Sequence, residues 1–164
     1  MLTADEARNL LDYNAGTGAF TWKARTSNRV QINDVAGSAQ VNGYRCISIL
    51  GKRYLSHRLA WLIVTGEWPA EQIDHINGNR ADNRFFNLRE VSLKENAKNQ
   101  ARSSKNTSGV TGVNWQEDAQ KWRARIKING RTIQLGYFSD LKTAKAARKA
   151  AELEHGFHKN HGRA

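Results

Sequence analysis

The stretch Asp74-His75-Ile76-Asn77-Gly78-Asn79-Arg80-Ala81-Asp82-Asn83-Arg84-Phe85-Phe86-Asn87-Leu88-Arg89-Glu90-Val91-Ser92-Leu93-Lys94-Glu95-Asn96 decides the fold. Ile73-Asp74-His75 reads as a strand end, and Asn77-Gly78-Asn79 as a tight turn inside a loop. A second strand covers Asn87 to Val91. Ser92 and Glu95 form a capping box, so a helix begins at Leu93 and Asn96 falls in its first turns. A ββα unit of about thirty residues is too small to bury a core by itself, so it needs a metal or a supporting domain.

Upstream, Thr3 and Glu6 frame a short helix over 3–12 with Ala7, Leu10 and Leu11 as its apolar stripe. Tyr13 to Trp22 is a turn feeding an aromatic strand, and 23–42 is loop with room for short strands. From Gly43 the residues alternate up to Leu50, and Gly51-Lys52 turns the chain back into Arg53-Tyr54-Leu55, a hairpin. Ser56 then caps an apolar helix stopped by Gly66 and Pro69. His57 and Arg58 lie at its N-terminal end, where a phosphate is favoured.

Downstream, 101–107 is polar and basic and reads as a linker. Lys121-Trp122-Arg123-Ala124-Arg125-Ile126-Lys127-Ile128 alternates without a fault, which puts four cations on one face and apolar residues on the other. Asn129-Gly130 is a two-residue hairpin turn. Thr132 to Leu135 continue the alternation. Ser139 or Asp140 caps an alanine-rich helix to His155, whose small face sits close against the apolar side of the sheet. His155, His158 and His161 recur every three residues, but they follow a helix stop and read as a solvated terminus.

Composition narrows the partners. The chain of 164 residues carries 26 Lys/Arg against 15 Asp/Glu, a net +11. Residues 101–164 hold thirteen Lys/Arg against five Asp/Glu, so that end is the main electrostatic handle for a polyanion. The longest apolar run falls far short of the ~20 residues of a membrane helix, and no signal peptide is readable. A single cysteine, Cys46, excludes a disulfide framework and a cysteine zinc site, which fits a cytoplasmic setting.

Cleaving a phosphodiester takes a base for water, a cation for the developing charge and stabilisation of the leaving oxygen. His75 is the natural base. Asp74 and Asn96 offer oxygen ligands suited to one divalent ion, Mg2+ first and Mn2+ as the alternative. Asn87 can hold the His75 imidazole through its side-chain oxygen and fix its tautomer.

Residues 57–100 resemble an H-N-H homing endonuclease of the phage type, with a ββα-metal active site. The matching residues are His57-Arg58-Leu59, Asp74-His75, Asn77-Gly78-Asn79, Asp82-Asn83, Asn87-Leu88-Arg89 and Asn96. The resemblance implies His75 as general base, Asn87 as the middle Asn supporting it, and Asp74 with Asn96 on the metal. His57, Arg58 and Arg89 are then candidate DNA contacts. Where the family often has a second metal-binding His, this chain has Asn96, which favours Mg2+ or Mn2+ over a transition metal. The segment Tyr13 to Trp22 and the Gly43–Leu55 hairpin are also similar to those preceding the site in this group.

Residues 108–157 resemble the Apetala-two/ethylene-response-factor DNA-binding domain through Gly112-Val113, Trp115, Lys121-Trp122, Ala124, Ile126, Leu135-Gly136, Phe138 and the alanine-rich helix. Such domains lay a three-stranded sheet in the major groove. Carried over by position, contacts fall at Thr111, Asn114, Trp115, Arg123, Arg125, Lys127, Thr132 and Gln134. Several of these are Arg or Trp in the plant domains, so the site read differs.

The expectation is therefore an α+β chain in two parts. Residues 1–100 form a nuclease domain with an N-terminal hairpin extension, and 108–164 a three-stranded antiparallel sheet on one helix that selects a site on duplex DNA. Cleavage would be metal-dependent and, as the resemblance implies, leave a 5′-phosphate and a 3′-hydroxyl. For a phage-type protein the setting is the cytoplasm of a bacterial host. The rivals are a non-catalytic DNA-binding regulator and a low-specificity phage nuclease. Monomer and homodimer both remain open.

Overall fold

The computed structural model describes residues 1–98, 102–159, 161 and 162, without the side chains of Lys94 and Ala97. The chain forms two compact units, Met1–Leu93 and Lys94–Ala164. The architecture is α+β: helices with small antiparallel sheets.

In the first unit, α1 (Ala4–Leu10) starts at the Thr3–Glu6 capping box, both halves of which are present. It ends earlier than the apolar stripe implied. Leu11 instead opens β1 (Leu11–Asn14), pairing with Trp22 of β2 (Ala19–Trp22), and is 2% exposed. Strand pairing and burial outweigh one more turn of helix there. The loop over 23–42 yields one short strand, β3 (Ser38–Ala39), which joins β4 (Arg45–Ile49) and β5 (Lys52–Leu55) in a three-stranded meander. Leu50 and Gly51, both at positive φ, make its tight turn.

Helix α2 (Ser56–Thr65) follows directly. Ser56 is not its cap: Leu55 occupies that position, and Ser56 is the first helical residue, 1% exposed. Gly66 closes the helix in the left-handed region at φ 87°. Strands β6 (Gln72–His75) and β7 (Leu88–Val91) then pair antiparallel, with Asp74 opposite Arg89 and His75 opposite Leu88. Ile73 and Leu88 enter the same core as Leu11, Phe20, Ile47, Leu59 and Leu62. The hairpins and α2 thus supply the apolar floor that the β6–β7 pair lacks. Helix α3 (Leu93–Ala97) begins where the Ser92/Glu95 pattern placed it.

In the second unit, β8 (Val113–Gln116), β9 (Lys121–Ile128) and β10 (Arg131–Phe138) form an antiparallel sheet in the order β10-β9-β8. Helix α4 (Leu141–Glu154) packs on it, capped by Asp140, whose carboxylate accepts from the Thr143 amide. Val113, Ala124 and Ala144 are the buried contact between sheet and helix. Alanines there let the helix backbone come close, as the sequence pattern required.

The histidine-spaced terminus departs from expectation. His161 is 7% exposed and sits 3.2 Å from an Arg148 guanidinium nitrogen. Arg148 is itself buried, donates to the Thr111 carbonyl, and pairs with buried Glu152. Phe157 lies edge-on to His161 and under Arg148. A buried Arg and Glu one turn apart on α4 need partners away from water, and the terminal segment supplies one. Among the described residues no helix is long and apolar enough to cross a membrane.

Candidate active site

Strand β6 delivers two polar residues to a place shielded from water: Asp74 is 7% exposed and His75 3%. Strand alternation sends Ile73 and His75 to one side and Asp74 to the other. The chain turns at once. The Gly78 amide donates to the His75 carbonyl at 2.7 Å, and the Ile76 amide to the Asn87 carbonyl at 2.9 Å.

Side-chain amides hold the loop between the strands. Asn87 Oδ1 accepts from the Asn77 amide at 3.0 Å, while Asn87 Nδ2 donates to Asn77 Oδ1 and to the Asp82 carbonyl. Asn77 Nδ2 donates to the Asp82 carboxylate, which also takes a forked pair from Arg84. The Arg84 contacts hold the Asp82 carboxyl down to about 2, and the Asn77 bond adds to them. Asn87, expected to grip the imidazole, is thus occupied in stapling the loop.

The residue facing the imidazole is Asn83. Its Oδ1 lies 3.3 Å from His75 Nε2, and it is 2% exposed. The sequence contained the signal, an amide directly after Asp82, but four asparagines lie between the strands and spacing does not say which reaches the ring. Burial pushes the His75 imidazole below its ordinary range, against the upward pull of the Asn83 bond and of Asp74 and Asp82. His75 is therefore neutral near pH 7 and able to take a proton.

Two further rings enclose it. His57 meets His75 edge to face with centroids 5.0 Å apart, and Tyr44 lies 5.2 Å from His57 and 5.9 Å from His75. Arg80 covers the outer face of Tyr44 and donates to the Asn42 carbonyl. His57, expected at an exposed helix start, is 5% exposed, and its Nδ1 has no hydrogen-bond partner. Burial, with the charges of His75 and Arg58, pushes its imidazole down to about 3.

Asp74 Oδ2 accepts from Arg89 Nε at 3.0 Å and Nη2 at 2.8 Å. Arg58 is likewise engaged within the protein, donating to the Pro69 and Glu71 carbonyls beside Trp68. Asn96 lies on α3 in the second unit. Among the described residues no group of three His, Cys, Asp or Glu side chains gathers as a metal cluster. A carboxylate with a carboxamide is nonetheless the hard oxygen pairing that Mg2+ accepts while keeping most of its waters.

The second unit offers a different surface. Direct partners in an antiparallel sheet share a face. Val113 opposite Ala124 and Trp115 opposite Trp122 define the helix side. Asn114 opposite Arg123 and Gln116 opposite Lys121 define the open side, which continues through Arg125 with Gln134 and Lys127 with Thr132. An irregularity between Gln134 and Gly136 shifts the alternation of β10 by one residue and brings Tyr137 beside Arg123. Gln116, Lys121 and Tyr137 therefore join this face, although the resemblance by position does not point to them. Trp115 lies on the other face, packed edge-on to Trp122 with its indole donating to Glu117. Thr111 has its hydroxyl buried without a hydrogen-bond partner.

A family model described as HNH endonuclease matches residues 54–98, a span running from the end of β5 to the end of α3. Residues 54–98 are thus similar to HNH endonuclease domains. The matched span contains His57, the Asp74-His75 pair, Asn83, Asn87 and Asn96. The chain is also similar to Protein 3.8 of Escherichia phage T7, at 34% identity over 76 residues. That match covers 46% of this chain and 63% of the phage protein. No solved structure matches the chain significantly.

Proposed function

We propose that the chain is a metal-dependent DNA endonuclease, resembling homing endonucleases, that hydrolyses phosphodiester bonds at a place selected by its second unit. The observation that carries this reading is the buried His75, its imidazole pushed down by burial, next to the Asp74 carboxylate inside the span that matches HNH endonucleases. His75 takes the proton of the attacking water. Asp74 and, on the sequence reading, Asn96 would hold one divalent ion, Mg2+ or Mn2+. When bound, it would neutralise charge on the phosphate and the leaving oxygen. Asn87 keeps the loop in shape around the base.

The domain division 1–100, 101–107 and 108–164 belongs to the same proposal, with the last part an Apetala-two-like reader of duplex DNA. Its support is the open face carrying Lys121, Arg123, Arg125 and Lys127 at alternate positions of one strand. Arginine bonding guanine is the commonest specific contact in the major groove.

The test is to incubate wild type and His75→Ala with long duplex DNA, with and without Mg2+, and to map the ends. Both should bind and only wild type with metal should cut, leaving 5′-phosphates. Equal cutting by His75→Ala would remove the mechanism. Binding without cutting by wild type would favour the regulator, and cuts scattered at random would favour the low-specificity nuclease.

A further inference from the structure

A base needs its proton-accepting nitrogen aimed, which means that the other nitrogen must be held. Asn83 is placed to do this. Its Nδ2 donates to the Ala81 carbonyl at 3.3 Å, so its Oδ1 is the atom turned toward His75 Nε2. An amide oxygen can only accept, so Nε2 carries the proton and the basic lone pair is on Nδ1. Asn87, the other loop amide near the strand ends, has its side chain committed to Asn77 and Asp82.

Asn83 is itself fixed from outside the loop. Tyr13 donates its hydroxyl to the Asn83 carbonyl at 2.7 Å. The Phe85 amide donates to the Ala15 carbonyl at 3.0 Å. Between these bonds, Gly18 lies so close that an added Cβ would come within 2.5 Å of the Arg84 nitrogen. The turn between β1 and β2 is therefore seated against residues 83–85.

We infer that Asn83 is a positioning residue for His75, holding its ring through Nε2–H so that Nδ1 serves as the base, and that the β1–β2 turn braces Asn83. This rests on reading His75 as the general base. A cavity-lining or packing role for Asn83 would not require a particular imidazole proton, which gives the test its readout.

The experiment uses the full chain labelled with 15N-histidine, at neutral pH and without DNA or metal, with His75→Gln to assign the resonance. Wild type should show a slowly exchanging His75 proton on Nε2. Asn83→Ala should lose that proton to rapid exchange. Its kcat on cleavable DNA should fall about 10- to 100-fold with KM within about twofold. Asn83→Asp keeps an acceptor oxygen and should restore the signal and most of kcat. Should Asn83→Ala fail to fold, Tyr13→Phe, which removes the outer bond alone, should speed exchange of the same proton. A wild-type proton on Nδ1 overturns the inference. So does an unchanged Nε2–H in Asn83→Ala or, where that variant does not fold, unchanged exchange in Tyr13→Phe; equal loss of kcat in the Ala and Asp variants does the same. If the proton behaves as expected while wild type cuts no DNA, the holding contact stands and the nuclease reading falls.

Discussion

Arg89 reaches Asp74 across the β6–β7 pair and grips one carboxylate oxygen with two nitrogens, at 2.8 and 3.0 Å. The Asp74 side chain is 8% exposed and that of Arg89 37%, so the acid depends on the guanidinium far more than the reverse. Arg89→Ala should destabilise the metal-free protein by about 1–3 kcal/mol, because it removes two charge-assisted hydrogen bonds from a nearly buried carboxylate. If Asp74 is a metal ligand, Mg2+ should raise the Tm of this variant more than that of wild type. Calorimetry with Mg2+ or EDTA measures both. An equal metal response would remove Asp74 from the ligand set.

Buried His57 should make stability depend on pH. Its ordinary value is 6.5 and burial takes it to about 3, so the unfolded chain binds the proton first as pH falls. Stability is therefore fully present above about pH 6.5 and is lost as pH drops toward 3, by up to about 1.4 kcal/mol per pH unit from this group. Urea denaturation between pH 7 and pH 5 should show the slope. His57→Phe, which keeps a ring against Tyr44, should reduce it, leaving the smaller slope that buried His75 contributes with the same sign.

The two faces of the second unit should separate cleanly in DNA binding. Arg125→Gln or Lys127→Gln should weaken binding and reduce the salt dependence by about one unit for each phosphate no longer neutralised. Trp115→Phe should leave affinity within about twofold, since its ring packs on Trp122 on the helix side. Fluorescence anisotropy over a salt series distinguishes them, and a large drop in affinity from Trp115→Phe would place the nucleic acid on the other face.

Gly18 sits at φ +75°, with the Arg84 nitrogen 2.5 Å from where a Cβ would go. Gly18→Ala should cost at least about 1–3 kcal/mol through the left-handed conformation and the clash together. It should also lower cleavage by displacing Asn83. Gly51→Ala, also at positive φ but with nothing within 4 Å, should carry the conformational cost alone and leave cleavage intact.

Much of this is legible from the residues because it depends on local pattern. Asp74-His75 followed by an Asn-Gly turn marks the candidate site, and alternation from Lys121 to Ile128 marks the second sheet. What escapes depends on contacts distant in sequence. Whether Asn83 or Asn87 meets the ring is decided by the Asn77–Asp82 network, and the seating of the β1–β2 turn is invisible in either segment alone. His57 reads as exposed because helix starts usually are, yet Tyr44 and His75 roof it over. Trp115 changes faces once the register with Trp122 is known. The tail reads as solvated until Arg148 and Glu152 prove to be buried.

The placement of Ile73 and Leu88 in one core with Leu11, Phe20 and Ile47 has a consequence for inheritance. A gene fragment encoding residues 54–98 would carry the matched signature but leave behind the first half of its own foundation. Shuffled into another gene, such a fragment would yield a motif without a fold. The smallest piece that recombination could move as a folded unit is nearer to Met1–Leu93.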